Sequence, residues 1–236
     1  MQLPLGLMAA LGSSLLLPEL ARRHRAGEER AIVAAQNRAL EVALLLALPA
    51  SAALFILARP MSIVLFERGA FRSSDAEGTA LVLMALSAGL PFATAAKVLS
   101  QTLFARGSLK AALVAAILGL ALTVAASLLL AWPFGPTGIA LGVSVGCLGH
   151  AVALASGLRR FGLWSPDRAL SARVIRITIA VLAMSLGLVA AIRFVPQVGV
   201  LSLAALCLGG LAVYLIAALA TGAVTRDDWA ALTKKS

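Results

Sequence analysis

The sequence predicts an all-α polytopic membrane protein with seven transmembrane helices. Three observations carry that prediction. Hydrophobic residues fill 61% of the 236 positions and mean hydropathy is +0.99, too apolar for a soluble domain, whose surface needs far more charge. Uncharged runs recur at about the 20 residues that a helix needs to cross hydrocarbon. The basic residues gather on every second connection between those runs. A closed barrel is the other spanning solution, but the runs lack two-residue alternation.

Span 1 covers Gln2 to Pro18 and span 2 Val42 to Ala58. Span 3 runs from about Gly78 to Phe104, interrupted only by Lys97. From Ala111 to Leu158 there is no charge, enough for two helices, and Trp132-Pro133-Phe134-Gly135-Pro136-Thr137-Gly138 breaks the run with a tight turn. Spans 4 (111–131) and 5 (138–158) are therefore expected as an antiparallel hairpin. Spans 6 (about Val174 to Ile192) and 7 (about Val200 to Ala223) form a second hairpin around Pro196. The organisation is a five-helix bundle over 1–158, a two-helix extension over 159–223 and a tail over 224–236.

Two connections have structure of their own. The charged 21–38 segment extends span 2 as helix. The 59–78 connection holds a short apolar piece, Met61 to Phe66, too short to span and suited to the membrane interface. Ser74-Asp75-Ala76-Glu77 has the S-x-x-E form that satisfies free N–H groups at a helix start, placing the beginning of span 3 near Asp75.

Charge orients the chain. Arg22, Arg23, Arg25, Arg30 and Arg38 follow span 1, and Arg106 and Lys110 follow span 3. Arg159, Arg160, Arg168, Arg173 and Arg176 follow span 5, and Arg226, Lys234 and Lys235 follow span 7. The intervening connections carry only Arg59, Arg68, Arg72 and Arg193. Cytoplasmic loops retain Lys and Arg, so the N-terminus is expected outside and the C-terminus in the cytoplasm. The opening MQLPLGLMAALG lacks a basic leader region and reads as a span, not a cleavable signal.

Several functions are disfavoured. The pI near 11.2 does not indicate nucleic acid, because the basic residues hug span ends with few aromatics among them. They suit anionic lipid headgroups. Cys147 and Cys207 fall inside spans without a CxxC or a His cluster, so neither a metal site nor a disulfide framework is expected. No nucleophile–base pairing and no Walker-type loop occurs; no cofactor is expected.

Span 3 carries the most informative pattern. Ser87, Pro91, Thr94, Lys97 and Gln101 recur at spacings of 4, 3, 3 and 4, within an arc of about 120° on a helix. Ionisable groups inside spans usually face a bundle interior or a water-filled cavity. Ser87, Thr94, Lys97 and Gln101 are therefore cavity candidates, with Lys97 offering charge to an anion. The bland alternative has Lys97 snorkelling to the interface. Pro49 and Pro91 sit mid-span, each removing a backbone hydrogen bond and bending its helix, as in transporters that alternate access. Gly138, Gly142 and Gly146, four apart, permit close helix contact, and His150 follows on the same face. An inter-helix hydrogen bond is the expected role of His150, ahead of a proton relay.

At LGSSLLLPELAR (Leu11 to Arg22), LFERGAF (Leu65 to Phe71) and KVLSQTLFARG (Lys97 to Gly107) the chain resembles the MurJ/MviN lipid II flippases of the multidrug/oligosaccharidyl-lipid/polysaccharide exporter superfamily. The resemblance implies a fourteen-span, two-lobed protein of which this chain is spans 8 to 14, in a bacterial cytoplasmic membrane. It further implies transfer of the undecaprenyl-linked peptidoglycan precursor between leaflets by alternating access, with spans 6 and 7 providing a groove for the lipid tail. Where many members carry an acid just before the first proline, this chain has Gln2, which joins the cavity candidates by position. Where members often read Thr-Pro, Ala111 and Ala112 stand. On this view the chain is either a truncated gene model beginning at an internal Met or one part of a split transporter, and is inactive without a separate N-terminal half. The partners implied are membrane lipid and the lipid-linked murein precursor. The rivals are an exporter of another polyprenyl-linked saccharide or amphipathic drug, and a non-transporting membrane scaffold.

Overall fold

The computed structural model describes residues 22, 29–66, 73–195 and 199–223. Span 1, the 67–72 segment, the Pro196 turn and the tail lie outside the described residues. Within them the chain is helical: α1 (Glu29–Ile56), α2 (Ala58–Phe66), α3 (Ser73–Ala105), α4 (Leu109–Arg160), α5 (Arg168–Arg193) and α6 (Val200–Ala220). All but α2 are long and apolar enough to cross a membrane.

Span 2 and its charged extension form one helix, α1, and proline chemistry sets its end. Pro60 has no N–H for the Ile56 carbonyl, so the ladder breaks there. Leu57 N still donates to Ala53 O at 2.8 Å and Met61 N to Leu57 O at 2.8 Å. The chain therefore bends at Leu57 and continues as the nine-residue α2.

The uncharged run from Ala111 to Leu158 folds back on itself within α4. Gly135, with φ 54° and ψ −134°, makes the reversal between Pro133 and Pro136, a conformation that suits a residue without Cβ. The two arms then approach at backbone distance. A Cβ on Gly138 would meet Leu130 O, one on Gly142 would lie 2.4 Å from Ser127 N, and one on Gly146 would collide with Thr123. Each four-residue step down one arm matches a step up the other, the register of an antiparallel pair. Ser127 Oγ donates across the seam to Ile139 O at 3.2 Å. At the next step the small residue changes sides: Gly119 gives room to His150.

The helices form a row: α4 packs on α3, α3 on α1, α1 on α5, and α5 on α6, with α2 against α3. One apolar core joins Leu40 of α1, Leu99 and Leu103 of α3, and Leu154 and Leu158 of α4. The other joins Ile177 and Met184 of α5 to Leu206 and Tyr214 of α6. The large apolar residues left exposed, such as Leu128, Leu129 and Leu186, suit contact with lipid tails.

Both mid-helix prolines leave a carbonyl that a neighbouring helix satisfies. Pro49 deprives Leu45 O of its helical donor, and Tyr214 Oη of α6 donates to it at 2.6 Å. Pro91 does the same to Ser87 O, and Ser51 Oγ of α1 donates at 2.7 Å. An unpaired carbonyl in hydrocarbon is costly, so each proline tethers its helix to a particular neighbour.

Charged contacts collect at one end of the helices, along the whole row. Arg106, at the end of α3, forms a forked pair with Glu29 of α1, its Nη1 donating to Oε1 at 3.1 Å. Buried Arg173 of α5 meets buried Glu41 of α1 at 2.8 Å, while its Nε donates to Ala223 O at 2.9 Å beyond α6. Trp164 Nε1 donates to Asn37 Oδ1 at 2.7 Å, and Asn37 Nδ2 to Ser165 O at 3.1 Å. The α4–α5 connection is thereby fixed to α1. Asp167 opens α5 by accepting from Leu170 N at 2.7 Å, the usual N-cap arrangement.

Candidate functional site: a cationic cavity between α3 and α4

At the same charged end, α3 and the two arms of α4 line an open cavity of about 820 Å³. Its polar lining is Lys97, Ser100 and Gln101 from α3, with Lys110, Cys147 and His150 from α4; alanines, leucines and Phe104 make up the remainder. Among the described residues the lining holds two lysines and no acid, so the cavity favours an anion.

Depth follows from helix rise. Lys110 lies at the rim, one residue inside α4. At 1.5 Å per residue, Gln101 sits about 6 Å, Lys97 about 12 Å and His150 about 15 Å from their helix ends. Ionisable groups inside apolar helices usually face a bundle interior or a water-filled cavity, and Lys97 opens onto this one. Lys97 is exposed to it.

Two polar atoms in the lining lack partners. Gln101 is only 7% exposed and its Oε1 accepts no hydrogen bond from any described residue. Buried His150 Nε2 likewise has no partner among them. By contrast, Ser100 is internally satisfied through Ala96 O at 2.8 Å.

The polar stripe of span 3 thus divides. Lys97 and Gln101 line the cavity. Ser87 and Thr94 do not: they are buried, donating at 2.8 Å to Met84 O and Leu90 O respectively. An arc of about 120° is wide enough to serve two neighbours, and its Ser87 edge faces α1. Gln2 lies outside the described residues. Gly138, Gly142 and Gly146 form the close seam, and His150 ends it, turning from packing position to cavity wall. Spacing alone did not single out Lys110, which reads as an orienting charge, or Cys147, which reads as an interior residue. The signal available was their helical register with His150 and Lys97.

A second recess, about 290 Å³, lies between α5 and α6. Gly187, Gly209, Gly210, Leu188, Leu206 and Val213 line it, making it an apolar groove. Among the described residues no three metal-ligating side chains cluster.

Long apolar helices around a recess that holds two lysines define a multi-pass membrane protein. The family model described as Lipid II flippase MurJ matches residues 1–209. The chain belongs to that family. It is 34% identical over 191 residues to a probable lipid II flippase MurJ of Rhizobium meliloti (strain 1021), covering 81% of this chain and 36% of the relative. It is 35% identical over 161 residues to a probable lipid II flippase MurJ of Rhizobium tropici, covering 68% and 30%. A lipid II flippase MurJ of Burkholderia cenocepacia is 28% identical over 167 residues, covering 71% and 32%. The chain spans about a third of the length of the curated relatives it matches.

Proposed function

We propose that this chain forms the second lobe, with its two-helix extension, of a lipid II flippase, and that the α3–α4 cavity is one wall of the headgroup route. The observation that carries the reading is the cavity lining of Lys97, buried Gln101 and half-buried His150 in a chain of this family. A sugar–peptide–diphosphate headgroup cannot cross hydrocarbon unaided, because its charges lose their hydration. A cationic recess compensates that loss while the lipid tail stays among apolar surfaces. The groove between α5 and α6 suits the tail.

In this reading the protein has seven spans here, α4 supplying two and Gln2 to Pro18 another. It corresponds to spans 8 to 14 of a two-lobed clamshell. The charged end is cytoplasmic, as the Lys and Arg distribution indicates. A first lobe, on the same or a separate polypeptide, closes the cavity. Rocking of the lobes then exposes it to one side at a time. The chain acts as a transporter and not as an enzyme, and its substrate is lipid-linked murein precursor moving from the cytoplasmic to the periplasmic leaflet.

The test is complementation in a flippase-depleted bacterium by this chain joined to a family first lobe. Lys97→Ala is expected to abolish or severely impair growth and lipid II translocation at normal protein level. Full complementation by Lys97→Ala would remove Lys97 from the route.

A further inference from the structure

We propose that Gln101 is a specificity contact for the glycan portion of the headgroup, its Oε1 accepting from a sugar hydroxyl or acetamido N–H. This deepens the flippase reading and rests on it.

The chemistry of the cavity divides by donor type. Lys97 and Lys110 bring ammonium groups, which only donate. They suit diphosphate or carboxylate oxygens, which at neutral pH only accept. Gln101 Oε1 is an acceptor without a partner among the described residues, on a side chain that is 7% exposed. An ionised phosphate cannot satisfy it and would be repelled by the carbonyl dipole. The missing partner must carry O–H or N–H.

Its position is as informative as its chemistry. Gln101 lies about one helical turn from Lys97 and about 6 Å inside the rim where Lys110 stands. A ligand held by both lysines must pass its neutral portion across the amide. His150 Nε2, deeper and also without a partner among the described residues, gives a second hydrogen-bonding contact on the opposite wall. Water can fill such a gap when no ligand is present. A ligand lacking glycan leaves Gln101 to water, whereas one carrying glycan replaces that water.

Sites built to hydrogen-bond a substrate group discriminate against analogues that lack it, because the buried partner is then left unpaired. Gln101 therefore separates lipid II from undecaprenyl diphosphate, which shares the anion and the tail.

The experiment measures binding of both lipids, in nanodiscs by native mass spectrometry, to this chain joined to a family first lobe. It compares the unaltered chain, Gln101→Met and Lys97→Ala. Methionine keeps the length and flexibility of glutamine and removes the amide. Gln101→Met is expected to weaken lipid II about tenfold and leave undecaprenyl diphosphate unchanged. Lys97→Ala is expected to weaken both. If Gln101→Met shifts neither lipid, or both equally, the glycan contact is refuted while the lysine result still stands for the flippase reading. An equal shift would mean that Gln101 positions Lys97 or supports the fold. If the unaltered chain binds neither lipid, the flippase reading fails and this inference with it.

Discussion

Replacing Tyr214 with phenylalanine tests whether prolines anchor this bundle. The hydroxyl donates at 2.6 Å to Leu45 O, the carbonyl that Pro49 leaves without a helical donor. Tyr214 is 3% exposed, so neither lipid nor water easily replaces the lost donor. An unpaired buried carbonyl costs about 1–3 kcal/mol, and hydrogen bonds between membrane helices reach about 1.7 kcal/mol. Tyr214→Phe is therefore expected to cost about 1.5 kcal/mol. In a Pro49→Ala background, the N–H at position 49 returns to Leu45 O, and the same change should cost about 0.5 kcal/mol. The difference, about 1 kcal/mol, is a coupling energy that a double-mutant cycle isolates. Equilibrium unfolding of the four proteins in mixed micelles, followed by circular dichroism, measures it. An equal cost in both backgrounds would refute the tether and leave Tyr214 as packing alone.

Three further changes probe the seam and the charged end. Gly142→Ala puts a methyl 2.4 Å from Ser127 N and should destabilise the hairpin by about 2 kcal/mol or more through overpacking. Gly157→Ala, where nothing lies within 4 Å, should be neutral or stabilising by up to about 1 kcal/mol; thermal melts in detergent compare them. Glu41→Leu leaves buried Arg173 without its 2.8 Å partner and should cost about 3 kcal/mol, read as a lowered melting midpoint. A melting midpoint unchanged by Glu41→Leu would show that Arg173's other partners, the Ala223 carbonyl among them, are enough to hold it.

Local chemistry made much of the architecture legible. Two prolines and two glycines between Trp132 and Gly138 mark a reversal that no uninterrupted helix survives, and the four-residue glycine spacing indicates which faces meet. Pro60 carried the bend at Leu57 equally plainly, yet span 2 was drawn through to Ala58, since hydropathy does not register a missing N–H. The span 3 stripe located a polar face without dividing it, since both Ser87 and Lys97 fit within one arc. The interactions that lock the charged end were invisible for another reason. Arg173 and Glu41 are separated by 132 positions, and Trp164 and Asn37 by 127. No local spacing encodes such pairs. Glu41 precedes span 2 by one position, and its partner Arg173 meets it only because α5 packs on α1.

The glycine seam has a mechanical consequence. Two arms joined at backbone contact cannot shear past one another without steric collision, so α4 moves as one stiff plank. Its main neighbour among the described helices is α3. From Ser144 to the Arg160 end of the arm is about 24 Å, and a swing of about 10° about Ser144 displaces that end by about 4 Å. Small rotations at the Ser144 contact, where Oγ donates to Ala85 O of α3 at 2.5 Å, are thus enough to widen or shutter the recess beside Lys97.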